Sequence, residues 1–137
     1  MTIQEKGQEV VEEFELFDDW MEKYEHIIEL GKDLPIIEDQ YKTDDNLIKG
    51  CQSKVWVWAE FNNGRINFTA DSEAIITKGI IALLVRVLNN SAPEEVLKAD
   101  FEFIKTIGLQ DHLSPTRANG LLGMIKRLKE LALQNCE

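Results

Sequence analysis

Two alternating runs joined by an Asn-Gly turn constrain this chain more than any other feature in it. Val55, Val57, Ala59 and Phe61 alternate with Lys54, Trp56, Trp58 and Glu60. After Asn62-Asn63-Gly64, Ile66, Phe68 and Ala70 alternate with Arg65, Asn67 and Thr69. A period of two places each apolar set on one face of a strand. Asn-Gly supplies two residues that tolerate the positive φ of a tight turn. The spacing predicts an antiparallel hairpin over about 54–61 and 65–70, and the two tryptophans imply that its second face is at least partly covered.

The flanking sequence has helical spacing. Phe17, Trp20, Met21, Tyr24, Ile27 and Ile28 recur at three and four residues and describe one face of a helix. Asp19 with Glu22 resembles a capping box, and Gly31 offers the stop. His26 falls off the stripe and reads as solvent-facing. From Leu34-Pro35 to Lys49 the periodicity lapses into an ordered but irregular surface segment.

After the hairpin, Asp71 or Ser72 is placed to cap a helix over roughly 73–89 that is apolar nearly all round, the expected buried centre. Gly79 lies inside it, where glycine costs ~1 kcal/mol against alanine, and close packing on the sheet is the expected reason. Ser91-Ala92-Pro93-Glu94 opens a short helix, and Phe101 to Ile107 form another that ends at Gly108. Ser114-Pro115 begins the last, with a cap and a proline at the first helical position. Its stripe is Leu121, Met124, Ile125, Leu128, Leu131 and Ala132. The acidic face of the first two helices reads as solvated surface. A hairpin among helices makes the fold class α+β, with a small antiparallel sheet packed against several helices.

Composition narrows the function. The 137 residues amount to one domain, 1–137, with 44% hydrophobic and 29% charged content. A formal net charge of −10 argues against nucleic acid as a partner and against an anionic membrane surface. The acidic N-terminus MTIQEKGQEVVEEFE has no apolar signal region, and the longest apolar stretch, Ala74 to Leu88, is interrupted by Thr77, Lys78, Gly79 and Arg86. The expectation is a cytoplasmic protein with a protein partner. Two cysteines 85 positions apart read as free thiols, and neither His26 nor His112 stands at metal-ligand spacing from them, so no metal is expected.

Cys51 is the candidate functional residue. It follows Lys49-Gly50 and precedes Gln52-Ser53, on a loop leading into the first strand. Gly50 permits a sharp bend. Lys49 and Lys54 are expected to favour the thiolate, the reactive form. On this pattern alone, a structural thiol and a nucleophile stand as equal readings. A cysteine hydrolase or transferase is the alternative, with His112 as the better-placed general base.

Four pieces in order carry a resemblance. They are Trp20-Met21-Glu22-Lys23-Tyr24 through Leu34-Pro35, Gly50-Cys51-Gln52-Ser53-Lys54-Val55-Trp56, Asp71-Ser72-Glu73-Ala74 with Lys78-Gly79, and Leu113-Ser114-Pro115-Thr116-Arg117-Ala118-Asn119-Gly120-Leu121. Together, over about residues 14–130, they resemble the SufE family of sulfur-acceptor proteins.

The resemblance implies a fold like that of the iron–sulfur scaffold proteins (SufE/IscU-like). It implies a protein that is not itself an enzyme but takes persulfide sulfur from a cysteine desulfurase onto Cys51. Such a protein stimulates that desulfurase and relays the sulfur to an iron–sulfur scaffold complex. Pyridoxal phosphate is expected on the partner desulfurase, with no cofactor here. Gly50, Gln52, Ser53, Asp71 and Arg117 are implied as the supporting loop or partner surface, with Asp71 steadying the cysteine loop. Cys51 is expected to be hidden at rest. Cys136 matches no family motif and is expected to be a quickly reacting tail thiol. The oligomeric state stays open, a homodimer included.

Overall fold

A computed structural model describes residues 1–136. Helix α1 (Ile3–Phe14) opens on a full capping box, in which the Thr2 hydroxyl accepts from the Glu5 amide and the Glu5 carboxylate accepts from the Thr2 amide. Its buried face holds only Gly7, Val10, Val11 and Phe14 among acidic residues, too sparse a stripe to delimit from the sequence.

Helix α2 (Trp20–Gly31) is capped by Asp19, whose carboxylate accepts from the Glu22 amide at 2.9 Å. Glu22 does not complete the box; its carboxylate accepts from the Asp18 amide instead. Two parts of the expected stripe differ. Phe17 precedes the helix, and Met21 is exposed. His26 is not solvent-facing either: its ring packs on Phe14 and Phe17, and Nε2 lies 3.0 Å from the Glu13 carboxylate. The covering comes from the end of α1, which helical spacing within α2 does not reveal.

Strands β1 (Val55–Asn62) and β2 (Arg65–Ser72) pair antiparallel, with Val55 opposite Ser72 and Asn62 opposite Arg65. Asn63 and Gly64 take the positive φ values the turn requires, 53° and 78°. Val55, Val57, Ile66, Phe68 and Ala70 are buried. The other face is covered by the segment after α2. Tyr41 stacks on Trp58 at 3.9 Å, and the Lys42 ammonium lies over the Trp56 ring. That segment is less superficial than its sequence implies: Leu34, Ile37 and Ile48 are buried, and single bridges join Ile36 to Ala70 and Leu47 to Trp56, on both edges of the hairpin.

Helix α3 (Ile75–Leu88) is the buried centre; apart from Ile75, Lys78 and Arg86 its residues are all buried. Neither Asp71 nor Ser72 caps it. Both belong to β2, which runs on past the expected end, so the capping position falls to Ala74 and has no side-chain acceptor. Gly79 serves a contact with α2 instead of one with the sheet. A Cβ there would run into the Ile27 carbonyl, whose carbon is 2.7 Å away. Gly31 answers from the other side, its own Cβ position 3.2 Å from the Gly79 amide nitrogen. It is therefore a packing glycine within α2 and not a left-handed stop. The helices cross where both lack a side chain.

Three helices complete the chain: α4 (Pro93–Lys98), α5 (Glu102–Ile107) and α6 (Pro115–Gln134). Gly108 closes α5 at φ 77°, and the Ser114 hydroxyl accepts from the Arg117 amide to cap α6, as the sequence predicts. Leu121, Met124, Leu128, Leu131 and Ala132 bury the inner face of α6. Among the described residues, no helix is long and apolar enough to cross a membrane.

Candidate functional site

The cysteine loop is an excursion pinched off just before β1. The Ile48 amide donates to the Val55 carbonyl at 2.8 Å, so residues 49–54 bulge out between two paired positions. Gly50 turns the chain at φ 91° with nothing near its missing side chain, so its role is conformational. The loop lies flat on α6. A Cβ on Gly123 would sit 2.6 Å from the Lys49 carbonyl oxygen, and one on Gly120 would sit 3.4 Å from Cys51 Sγ. These two glycines are the seat into which the loop fits.

There the Cys51 thiol is half-buried and donates to the Gly120 carbonyl, Sγ to oxygen 3.6 Å. Burial pushes its pKa above the ordinary thiol value of 9.0. This reverses the expectation placed on Lys49 and Lys54. Both are exposed, their charges are solvated, and removal of the sulfur from water dominates. At neutral pH the resting sulfur is a neutral thiol.

Beside Sγ is a narrow cleft of about 60 Å³. Gln52 and Ser53 line it from the loop, Thr77 from α3, and Thr116, Arg117 and Met124 from α6. Of the residues named from the sequence, Cys51, Gln52, Ser53 and Arg117 share this cleft. The sequence marks neither Thr77 nor Met124 as a site residue: Thr77 is only a polar break in an apolar run, and Met124 only part of a core stripe.

Asp71 stands apart from the cleft. Its carboxylate meets the Lys42 ammonium at 2.6 Å and that of Lys78 at 3.5 Å. Burial by itself raises its pKa, but the Lys42 hydrogen bond, the Ser72 amide and the two lysine charges outweigh that and hold it below the ordinary 3.8. Asp71 accepts from the Ser72 amide, and the Ser72 hydroxyl donates to the Lys54 carbonyl at 2.9 Å. Its link to the cysteine loop therefore runs through Ser72.

His112 does not line the cleft. Its ring stacks on Trp20 at 3.9 Å, and Nδ1 lies 3.0 Å from the Gly108 carbonyl. The general base of the hydrolase alternative is engaged elsewhere. Cys136 is not a bare tail thiol: it donates to the Glu94 carboxylate at 3.4 Å, and this hydrogen bond is the main cause raising its pKa. Among the described residues no three His, Cys, Asp or Glu side chains gather to hold a metal.

Fold and site together define a small α+β domain that seats one neutral thiol, on a glycine-turned loop, against a glycine face of its last helix. Residues 8–132 match the family model SufE, the Fe-S metabolism associated domain. The chain belongs to the SufE family. It is 41% identical over 129 residues to "SufE-like protein 1, chloroplastic/mitochondrial" of Arabidopsis thaliana, covering 93% of this chain but 35% of that protein's length. A SufE-like protein of Rhizobium etli is 35% identical, with 90% of this chain and 87% of the relative covered. One from Synechocystis is 34% identical, with 90% and 78% covered. The solution structure of a hypothetical protein from Thermus thermophilus superposes with a TM-score of 0.78 over 94% of each chain; at 21% identity it shares the fold. Membership associates this chain with iron–sulfur metabolism.

Proposed function

We propose that the protein accepts the outer sulfur of a cysteine desulfurase's persulfide on Cys51 and relays it to a scaffold that assembles iron–sulfur clusters. One observation carries this reading beyond family membership: the half-buried, neutral Cys51 thiol sits on a pinched loop, with a small cleft beside its sulfur.

The chemistry is sulfur exchange. The Cys51 thiolate attacks the outer sulfur of the desulfurase persulfide; a new S–S bond forms on Cys51 and the desulfurase's own S–S bond breaks. The enzyme's cysteine leaves as a thiolate, and the two cysteines exchange redox states with no outside oxidant or reductant. Freeing that cysteine lets the desulfurase turn over again, so the acceptor stimulates it without a catalytic apparatus of its own. At rest the raised pKa keeps Cys51 in the thiol form, which resists oxidation and stray exchange. Docking has to lift the loop from α6 so that the sulfur gains water or polar partners and ionises.

The test combines a purified cognate desulfurase and free cysteine with this protein, followed by peptide mass spectrometry and sulfide release. One extra sulfur is expected on Cys51, together with faster turnover, and both are lost in Cys51→Ser with the fold intact. Sulfur appearing on Cys136, or relay persisting in Cys51→Ser, overturns the proposal.

A further inference from the structure

Thr77 is a buried polar side chain for which the fold supplies no partner. It is 8% exposed, in the first turn of a helix otherwise packed with aliphatic residues. A threonine in a helix commonly donates to the carbonyl one turn back, as Thr106 does to Glu102 at 3.1 Å. The Thr77 hydroxyl makes no hydrogen bond to a described residue, and its oxygen is not sealed from the cleft that the side chain lines. With no protein partner and an opening on the cleft, this hydroxyl is free to donate to whatever occupies that space.

The surroundings define the charge of that ligand. Among the described residues no carboxylate lines the cleft, and its charged member is Arg117. The leading end of α3 carries the positive pole of the helix dipole, and no side chain caps it. The volume of about 60 Å³ exceeds the roughly 10–15 Å³ that admits one water on the same scale. One further sulfur atom fits.

We propose that this cleft is the berth of the sulfur carried by Cys51, and that the Thr77 hydroxyl donates a hydrogen bond to that sulfur as the anion Cys51–S–S⁻. This rests on the acceptor reading above. An alkyl persulfide is a stronger acid than its parent thiol, so loading turns the group from a donor into an acceptor, its proton passing to solvent. The Gly120 carbonyl suits the empty thiol, because it accepts the S–H. It offers nothing to an anion. Thr77 supplies the donor that the loaded state needs, and the empty state leaves it idle. Exchange of partner between Gly120 and Thr77 thus distinguishes the two states of the carrier.

The experiment loads Cys51 in a Cys136→Ser background with inorganic polysulfide, so that loading does not depend on the desulfurase. The near-ultraviolet absorbance of the persulfide anion is then titrated in the parent protein, Thr77→Val and Thr77→Ser. Valine keeps the shape and removes only the hydroxyl. Its titration midpoint is expected to rise by about one pH unit, a roughly tenfold loss of acidity and the size of one hydrogen bond to a charged group. Serine is expected to restore the parent midpoint. Equal midpoints in the parent and Thr77→Val, or a serine variant that behaves like valine, overturn the Thr77 assignment and leave the acceptor reading standing. Failure of a desulfurase to load Cys51 in the parent protein sinks the acceptor reading itself, and this assignment with it.

Discussion

Replacing Gly123 with alanine sets the preference of α6 against the seating of the cysteine loop. Inside a helix, alanine is favoured over glycine by ~1 kcal/mol. The new Cβ, however, falls 2.6 Å from the Lys49 carbonyl oxygen, closer than a carbon and an oxygen can sit. One side must move. Helix α6 runs for 20 residues and is anchored by Leu121, Met124 and Leu128, whereas Lys49 and Gly50 are exposed. The loop therefore yields. Overpacking of this kind costs ~1–3 kcal/mol, and undocking the loop relieves it. Carried into the docked-to-undocked equilibrium, that strain exposes Cys51 about 5- to 150-fold more often. The helix gain offsets much of the strain, so global stability changes by no more than ~2 kcal/mol. The assay is the rate at which a bulky maleimide labels Cys51 in a Cys136→Ser background. Faster labelling within that range is expected, with the far-ultraviolet circular dichroism unchanged. If labelling of folded Gly123→Ala matches the parent rate, the loop is not held by its fit to α6, and the account of a thiol hidden at rest fails.

Two further outcomes follow from the electrostatics. Alkylation of Cys51 by a small reagent should rise with pH through a midpoint above 9.0, because burial raises the pKa; Cys136 should also titrate above that value, because of Glu94, and Cys136→Ser separates the two profiles. A Cys51 midpoint below 9.0 would show that Lys49 and Lys54 govern the thiol after all. For Asp71, the lowered pKa means a stabilising carboxylate at pH values above the ordinary 3.8, with the contribution lost as pH falls through the lower folded value. Asp71→Asn should therefore lower Tm by a few degrees at pH 7, the gap closing in acid below about pH 4; a constant gap from pH 7 to 3 refutes the pairing with Lys42 and Lys78.

What the sequence determined by itself was local. The hairpin follows from the period-two pattern and Asn63-Gly64, and α6 from Ser114-Pro115. The place of Cys51 on a loop follows from Gly50 and the polar residues around it. Each depends on residues within a turn or two of one another, where backbone preference acts. Tertiary structure decided what those elements face. Gly79 lacks a side chain because of the Ile27 carbonyl, 52 positions away in sequence, and His26 is covered by Phe14 from a different helix. Thr77 enters the site because α3 and α6 converge on the cysteine loop. The Cys51 thiol shows the division most plainly. Its sequence neighbours Lys49 and Lys54 point to a lowered pKa, yet their charges are dissipated in water while its sulfur is turned against α6. Charge acts through distance and dielectric, and only the packed chain sets both.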